Sequence, residues 1–191
     1  MKYITKELVL IPLIRNLNLL DSTKYQEWMM NVEVTKYTSH RAFPLITDDI
    51  ENFKEGLNTN DRIVWSIFNR FPTYEYIGNT ALDMIDLVNR KAEFAIFIGN
   101  KNYWGKGYGT IIGKILLYHA FMVLNLHRIY GGCVEFNTGM QKVFTKLDMI
   151  NEGSSVDGIY LQGRYCNICH YAILEKEYRM NYKNELFIAK E

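Results

Sequence analysis

A chain of 191 residues with 48% hydrophobic and 23% charged residues has enough material for a full core and reads as one domain spanning 1–191. Its 22 basic and 21 acidic residues leave a net charge of +1, which excludes a bulk field for nucleic acid or anionic membrane; any polyanion site must be local. The opening MKYITKELVLIPLI has an apolar run too short, and too broken by Pro12, for a signal-peptide core or a membrane span, so a cytoplasmic protein with three reduced cysteines is expected.

In chain order, ELVLIPL (7–13) predicts a strand. A helix follows near 22–31, where Thr23 and Gln26 have capping-box spacing and Tyr25, Trp28 and Met29 form a buried stripe. A second helix begins after Thr47 or Asp48, with Ile50, Phe53 and Leu57 on one face and Gly56 near its end. The period then becomes strand-like: 62–68, 76–85 and 92–99 are three strands of an antiparallel meander.

The glycine-rich stretch NKNYWGKGYGT (100–110) leads into a helix over 110–126. His119 falls on its apolar stripe and is expected to hydrogen-bond in the core. A strand at 128–134, a helix from Thr138 to Leu147 started by Asn137, and strands at 156–162 and 167–174 close the chain. The result is a mixed α/β (α+β) fold, an antiparallel half leading into a β-loop-helix-β unit.

Cys166 and Cys169 with His170 match the C-x-x-C-H spacing of haem attachment and of half a zinc site. Their setting is strand-like, however, and residues three apart on a strand point to opposite faces, so the match reads as chance and no metal is expected.

Three phosphate-binding templates compete for the glycine stretch. The Walker pattern fails because Lys106 is followed by Gly107 and residue 100 is Asn; the dinucleotide fingerprint fails because its last spacing is one residue short. What remains is a tight G-x-G-x-G turn opening a helix. Glycines there allow positive φ, and successive N–H groups can converge on one anion beside the helix N-terminus and Lys106.

With its flanks, Trp104-Gly105-Lys106-Gly107-Tyr108-Gly109 resembles the acetyl-CoA pyrophosphate loop, [QR]-x-x-G-x-[GA], of the GNAT superfamily of N-acetyltransferases. Trp104 in place of Gln or Arg resembles the RimJ/RimL-like branch, which commonly reads YWGKGYAT. The similarity runs through LVLIPL, EWMMNVEVTKY, AEFAIFIG, LNLHRIYGGCVEFNTGMQKVFTKL and GIYLQGRYCNICHYAILEKEY, with departures at Gly139 and at KLDM, where the family reads KLGF. The resemblance implies a mostly antiparallel central sheet of about seven strands flanked by about four helices.

It further implies acetyl-CoA as donor, with its pyrophosphate on the backbone N–H groups of Trp104, Gly105, Lys106, Gly107, Tyr108, Gly109 and, at the start of the helix, Thr110. Phe97 and Ile98 would pair with the pantetheine amides like an added strand, and Asn137 and Phe144 would flank the pantetheine and nucleotide arm.

Acetyl transfer to an amine requires a neutral nucleophile, a stabilised oxyanion and a thiol leaving group. A lysine-like amine is almost wholly protonated at neutral pH, while a protein α-amine, with a pKa of about 7.7–8.0, is partly free. Glu93, eleven residues before Trp104, is the candidate base, since family members carry a catalytic glutamate there and a carboxylate on an apolar strand face is costly unless used or paired. Asp83, Asp86 and Glu135 are second choices. The tyrosine acid of many members falls at Phe144, which has no proton to give.

The expected activity is acetyl transfer to a primary amine, on a protein N-terminus or a small molecule, by direct attack in a ternary complex. Alternatives are an amino-sugar or sugar-nucleotide N-acetyltransferase of polysaccharide biosynthesis, a catalytically silent CoA-binding module, or an ATP- or NAD-binding protein. Segments 35–60 and 153–166, with Tyr37, His40, Phe43, Tyr160 and Tyr165, are expected to shape the acceptor pocket. The expected partners are acetyl-CoA and an amine, with no nucleic acid and no membrane, and a homodimer stays open.

Overall fold

The computed structural model describes residues 1–38, 47–57, 59–182 and 189–190. Nine strands form one sheet, β1 (Lys2–Ile4), β2 (Leu8–Pro12), β3 (Ile63–Asn69), β4 (Glu75–Asp86), β5 (Lys91–Ile98), β6 (Arg128–Val134), β7 (Ile150–Leu161), β8 (Arg164–Leu174) and β9 (Ala189–Lys190). Their order is β7-β8-β6-β5-β4-β3-β2-β1-β9. Five α-helices flank them: α1 (Thr23–Met30), α2 (Thr47–Gly56), α3 (Tyr108–Tyr118), α4 (Thr138–Lys146) and α5 (Glu175–Asn181). Every neighbouring pair is antiparallel except β5 and β6, the strands joined by the glycine loop and α3. The mixed, mostly antiparallel class is the one expected. The sheet gains β1 and the two-residue β9, whose segments are too short to show a period-2 pattern.

Local chemistry accounts for the element ends. α1 is capped by Ser22, whose side chain accepts from Tyr25 N at 3.2 Å; this replaces the expected Thr23 cap, because Thr23 is already helical. The expected 110–126 helix divides into α3 and a π-helical turn, His119–Val123. Asn137 caps α4 through its side chain to Met140 N at 3.1 Å. At the other end of α4, Asp148 takes φ 56, and Asp148 N and Met149 N donate to Thr145 O and Phe144 O at 3.1 and 3.0 Å. This is the left-handed helix stop that glycine usually supplies, and Asp is among the residues that tolerate it. The aspartate of KLDM therefore leaves the helix end intact. α5, absent from the sequence reading, starts where Glu177 accepts from Leu174 N at 2.8 Å.

Side chains alternate across the sheet and build two layers. Phe94, Ile129, Tyr171 and Ile173 meet Ile112, Ile115 and Leu116 of α3, Phe144 of α4 and Tyr178 of α5 in the main core. On the opposite face Tyr25, Trp28 and Met29 of α1 and Ile50 of α2 pack on Val64, Tyr76, Ala81, Ala95 and Phe97. His119 lies in the main core, 5% exposed, with Nδ1 2.5 Å from Tyr3 Oη, as its place on the apolar stripe predicts. Cys166 packs with Val134 and Leu161, whereas Cys169 borders the main core, so the two thiols do face apart.

Candidate functional site

The parallel pair β5 and β6 is joined only at Lys91 with Arg128, Ala92 with Ile129 and Glu93 with Tyr130. Beyond that row the strands separate, and residues 94–98 have β4 on one side and no ladder partner on the other. Gly99 N donates to Ile77 O at 3.0 Å and Ala95 O accepts from Thr80 Oγ1 at 2.7 Å, so the odd-numbered residues of β5 turn their backbone groups to β4. Phe94, Ile96 and Ile98 therefore turn theirs to the open side. An extended chain entering the split would find the backbone of Ile96 and Ile98.

This corrects the assignment of Phe97, whose carbonyl lies against Gly78 of β4, so close that a Cβ on Gly78 would fall 2.1 Å from it. The side chain of Phe97 packs with Tyr25 and Trp28 of α1. Ile96, absent from the sequence reading, turns its backbone to the open side, as strand alternation alone requires.

The glycine loop sits where β5 ends and α3 begins. Gly105 and Gly107 have φ 72° and 84°, and a Cβ at either would meet nothing within 4 Å, so they provide left-handed backbone and open space together. The N–H groups of residues 105–109 make no backbone hydrogen bond among the described residues, while Thr110 N already donates to Gly107 O at 3.0 Å. Trp104 N is likewise engaged, with Lys101 O at 3.0 Å. Two of the expected donors, Trp104 N–H and Thr110 N–H, are thus spent on the turns that flank the loop.

Trp104 contributes through its indole instead: Nε1 donates to Ile98 O at 2.7 Å and ties the loop to the end of β5. Behind the loop, Tyr108 Oη donates to Asn69 Oδ1 at 3.1 Å, and Tyr103 Oη donates to Glu75 Oε2 at 2.8 Å. Glu75 also accepts from Asn100 Nδ2 at 3.0 Å and pairs with Lys24 of α1 at 2.5 Å. These hydrogen bonds, Lys24's first, hold its carboxyl below the usual range. Lys106 is exposed, its Nζ 5.6 Å from the Tyr103 ring, free to swing over an anion in the loop.

The free donors, the helix N-terminus and the adjoining open strand edge fit a pyrophosphate followed by an extended amide-bearing arm. Asn137 uses Oδ1 as the α4 cap and keeps its amide nitrogen as a donor. Phe144 does not flank an arm: it is fully buried, stacked on Tyr171 with ring centroids 4.7 Å apart and tilted against Phe94. An aromatic ring inside the core cannot touch a ligand in a surface groove.

Glu93 lies at the vertex of the split, opposite Asp83 on β4 and Tyr130 on β6. Residues directly opposite share a face, here the face that carries α1 and α2. Burial raises the Glu93 carboxyl above its ordinary range, the neighbouring Asp83 charge raises it further, and His170 opposes both. Asp83 is paired with Arg62 Nε. His170, beyond the sequence reading, stands opposite Gly132 on β8, its Nδ1 3.6 Å from where a Gly132 Cβ would be, and its Nε2 is 2.7 Å from Ser155 Oγ. Only the strand register brings it to Glu93. Glu135 accepts from Asn167 N and Nδ2, both at 3.1 Å, and so serves as a buttress between β6 and β8. Asp86 caps the β4–β5 turn through Asn89, which accounts for it structurally.

A cavity of about 290 Å³ opens between Lys36 and Tyr37 after α1, Phe136 after β6, and Leu161, Gln162 and Arg164 at the β7–β8 turn. It joins the two segments expected to shape the acceptor pocket and includes Tyr37; Tyr160 and Tyr165 are exposed neighbours at the same turn, and His40 and Phe43 lie outside the described residues. Phe136 lies in the turn just past the end of β6, whose residues Tyr130 to Val134 span about 13 Å, so Glu93 and this cavity lie toward opposite ends of β6. No group of His, Cys, Asp and Glu suited to a metal ion occurs among the described residues, and no helix among them is long and apolar enough to cross a membrane.

The sequence pattern of the acetyltransferase (GNAT) domain family matches residues 13–150. Over 171 residues, 86% of this chain and 93% of the relative, the chain is 29% identical to the uncharacterized N-acetyltransferase p20 of Bacillus licheniformis. It is 32% identical over 101 residues to a Bacillus subtilis protein provisionally named ribosomal N-acetyltransferase YdaF, 53% of this chain and 55% of that one. In fold it is similar to the spermidine N-acetyltransferase of Vibrio cholerae solved with CoA and spermine, with TM-score 0.68 and 23% identity over 91% of this chain and 99% of that one. The split strands, the glycine loop and the family pattern agree: the chain belongs to the GNAT acetyltransferase family and is an acetyl-CoA-dependent N-acetyltransferase.

Proposed function

We infer that the acceptor is a small primary amine or a peptide N-terminal amine, which enters on the face carrying α1 and α2 and attacks acetyl-CoA directly in a ternary complex. The observation that carries this is the separation of β5 from β6 beyond Glu93 and Tyr130. It leaves a slot through the sheet, with the glycine loop at one end and a carboxylate on the acceptor face at the other.

In this reading the N–H groups of 105–109 hold the donor pyrophosphate, and the open backbone of Ile96 together with the N–H of Ile98, whose carbonyl is taken by the Trp104 indole, pairs with the pantetheine amides. One N–H of that edge faces the thioester oxygen and stabilises the oxyanion. Glu93, its carboxyl raised by burial, accepts a proton from the incoming ammonium, directly or through a water. The neutral amine adds to the carbonyl, the C–S bond breaks, and the proton lost by the new amide neutralises the departing thiolate. Thiols ionise near 8.5, so the leaving group tolerates the absence of a tyrosine acid at Phe144.

Relatives named spermidine N(1)-acetyltransferase, 31% identical over 57% of this chain in Escherichia coli, make a polyamine the first acceptor to assay. Thiol release from acetyl-CoA, followed with spermidine, N-terminal peptides and amino sugars, tests the proposal. Turnover with an acetylated amine as product is the expected result. CoA binding with no turnover on any amine overturns it.

A further inference from the structure

We propose that the cavity at the β7–β8 turn is an anion subsite, and that the preferred acceptor carries a carboxylate or phosphate group in addition to its amine. This rests on the acetyl-transfer reading above and specifies its substrate class. Two cations line the cavity, Lys36 and Arg164. Neither has a carboxylate within ion-pair distance among the described residues, in contrast to Lys24, Lys54, Arg62, Lys101 and Arg128, each of which has one.

Both cations are held by aromatic faces instead. The Arg164 guanidinium carbon is 4.7 Å from the Phe136 ring centroid, and Lys36 Nζ is 4.8 Å from that of Tyr37. Tyr37 Oη donates to Phe136 O at 3.3 Å and bridges the two walls. A ring orients a cation yet leaves its N–H donors available to an oxyanion.

The lining reinforces this. None of the six residues that line the cavity is acidic. Glu135, next to Phe136, is turned to Asn167 by two hydrogen bonds and is not among the residues lining the cavity. A polycation such as spermidine would meet only like charge here, whereas an extended peptide with its N-terminal amine toward Glu93 and an anionic side chain about four to six residues on, toward Arg164, is complementary at both ends of β6.

The test compares acceptor peptides that differ only in an anionic group placed at about the fourth to sixth residue, far enough from the N-terminal amine to span β6: aspartate with asparagine, and phosphoserine with serine. Spermidine serves as the polycationic control. For the wild type, kcat/KM for the anionic member of a pair should exceed that of its neutral partner by about tenfold or more, the size of a lost charge-assisted hydrogen bond. Which pair shows the larger ratio distinguishes phosphate from carboxylate. K36Q and R164Q should bring the ratio toward unity and R164K should retain most of it, with KM for acetyl-CoA serving as the check that the donor site is intact.

A neutral partner or spermidine that performs as well as the anionic acceptors overturns the subsite, as does a ratio that survives both substitutions, and either result leaves the acetyl-transfer reading standing. If no amine turns over, that reading fails separately. Calorimetric titration with inorganic phosphate, its binding lost in R164Q and K36Q and retained in the wild type, then decides the subsite; equal binding by all three overturns it.

Discussion

His119 offers the sharpest test of the packing. It is 5% exposed; Nδ1 meets Tyr3 Oη at 2.5 Å, and Nε2 has no hydrogen-bond partner among the described residues. Burial, assisted by the positive amino terminus, lowers its pKa from 6.5 to about 4. A histidine depressed on folding binds its proton more readily when unfolded, so its stabilising contribution is present above pH 6.5 and is lost as the pH falls toward 4. At pH 5, roughly 1.5 units below the unfolded value, the loss is about 2 kcal/mol; fully below pH 4 it reaches about 3 kcal/mol.

Urea unfolding at pH 7 and pH 5, on the wild type and on H119Q, isolates this contribution, because carboxylates such as Glu75 titrate alike in both proteins. The wild type should lose about 2 kcal/mol more than the variant. Equal losses would refute the reasoning. An NMR titration placing the His119 imidazole near 6.5 in the folded protein would do the same without any variant.

Three further outcomes are expected. Gly107→Ala forces an L side chain to φ 84° in open space, a strain of about 1–2 kcal/mol with no clash, so KM for acetyl-CoA should rise about 5- to 30-fold; an unchanged KM argues against the loop as the donor cradle. Glu93→Gln should remove the acid limb of the kcat/KM pH profile, a limb that lies above the ordinary glutamate range in the wild type and moves down in Asp83→Asn; a profile unaltered by Glu93→Gln refutes the base assignment. Phe144→Ala should lower stability by about 3–5 kcal/mol, read by denaturant unfolding, while acetyl-CoA binding by the folded protein persists. Weakened acetyl-CoA binding without loss of stability would place Phe144 at the ligand after all.

The sequence reading was strongest where one local rule decides the outcome. The β3–β5 meander, the Asn137 cap, β6 to the residue, and His119 in the core all follow from periodicity or capping within a window of a few residues. The glycine loop belongs with them, because positive φ at Gly105 and Gly107 is a backbone requirement that few other residues meet. Trp104 carried the resemblance to the family, but not that its amide is spent on a turn with Lys101 while its indole ties the loop to the end of β5.

What sequence could not supply depends on contacts between segments far apart in the chain. Whether Phe144 faces the groove or the core is set by Phe94 and Tyr171, 50 residues before it and 27 after it. His170 bears on the Glu93 carboxyl only because the register sets it opposite Gly132, two residues along β6 from Tyr130, the partner of Glu93. Lys36 and Arg164, 128 residues apart, become one cationic cavity only once the β7–β8 turn closes over the chain after α1. The side-chain period and end caps of a helix or strand are set by neighbours in sequence, and so its pattern is written there. An acceptor site is made by neighbours in space, whose pairing is set by the strand order β7-β8-β6-β5 and the long-range packing that maintains it.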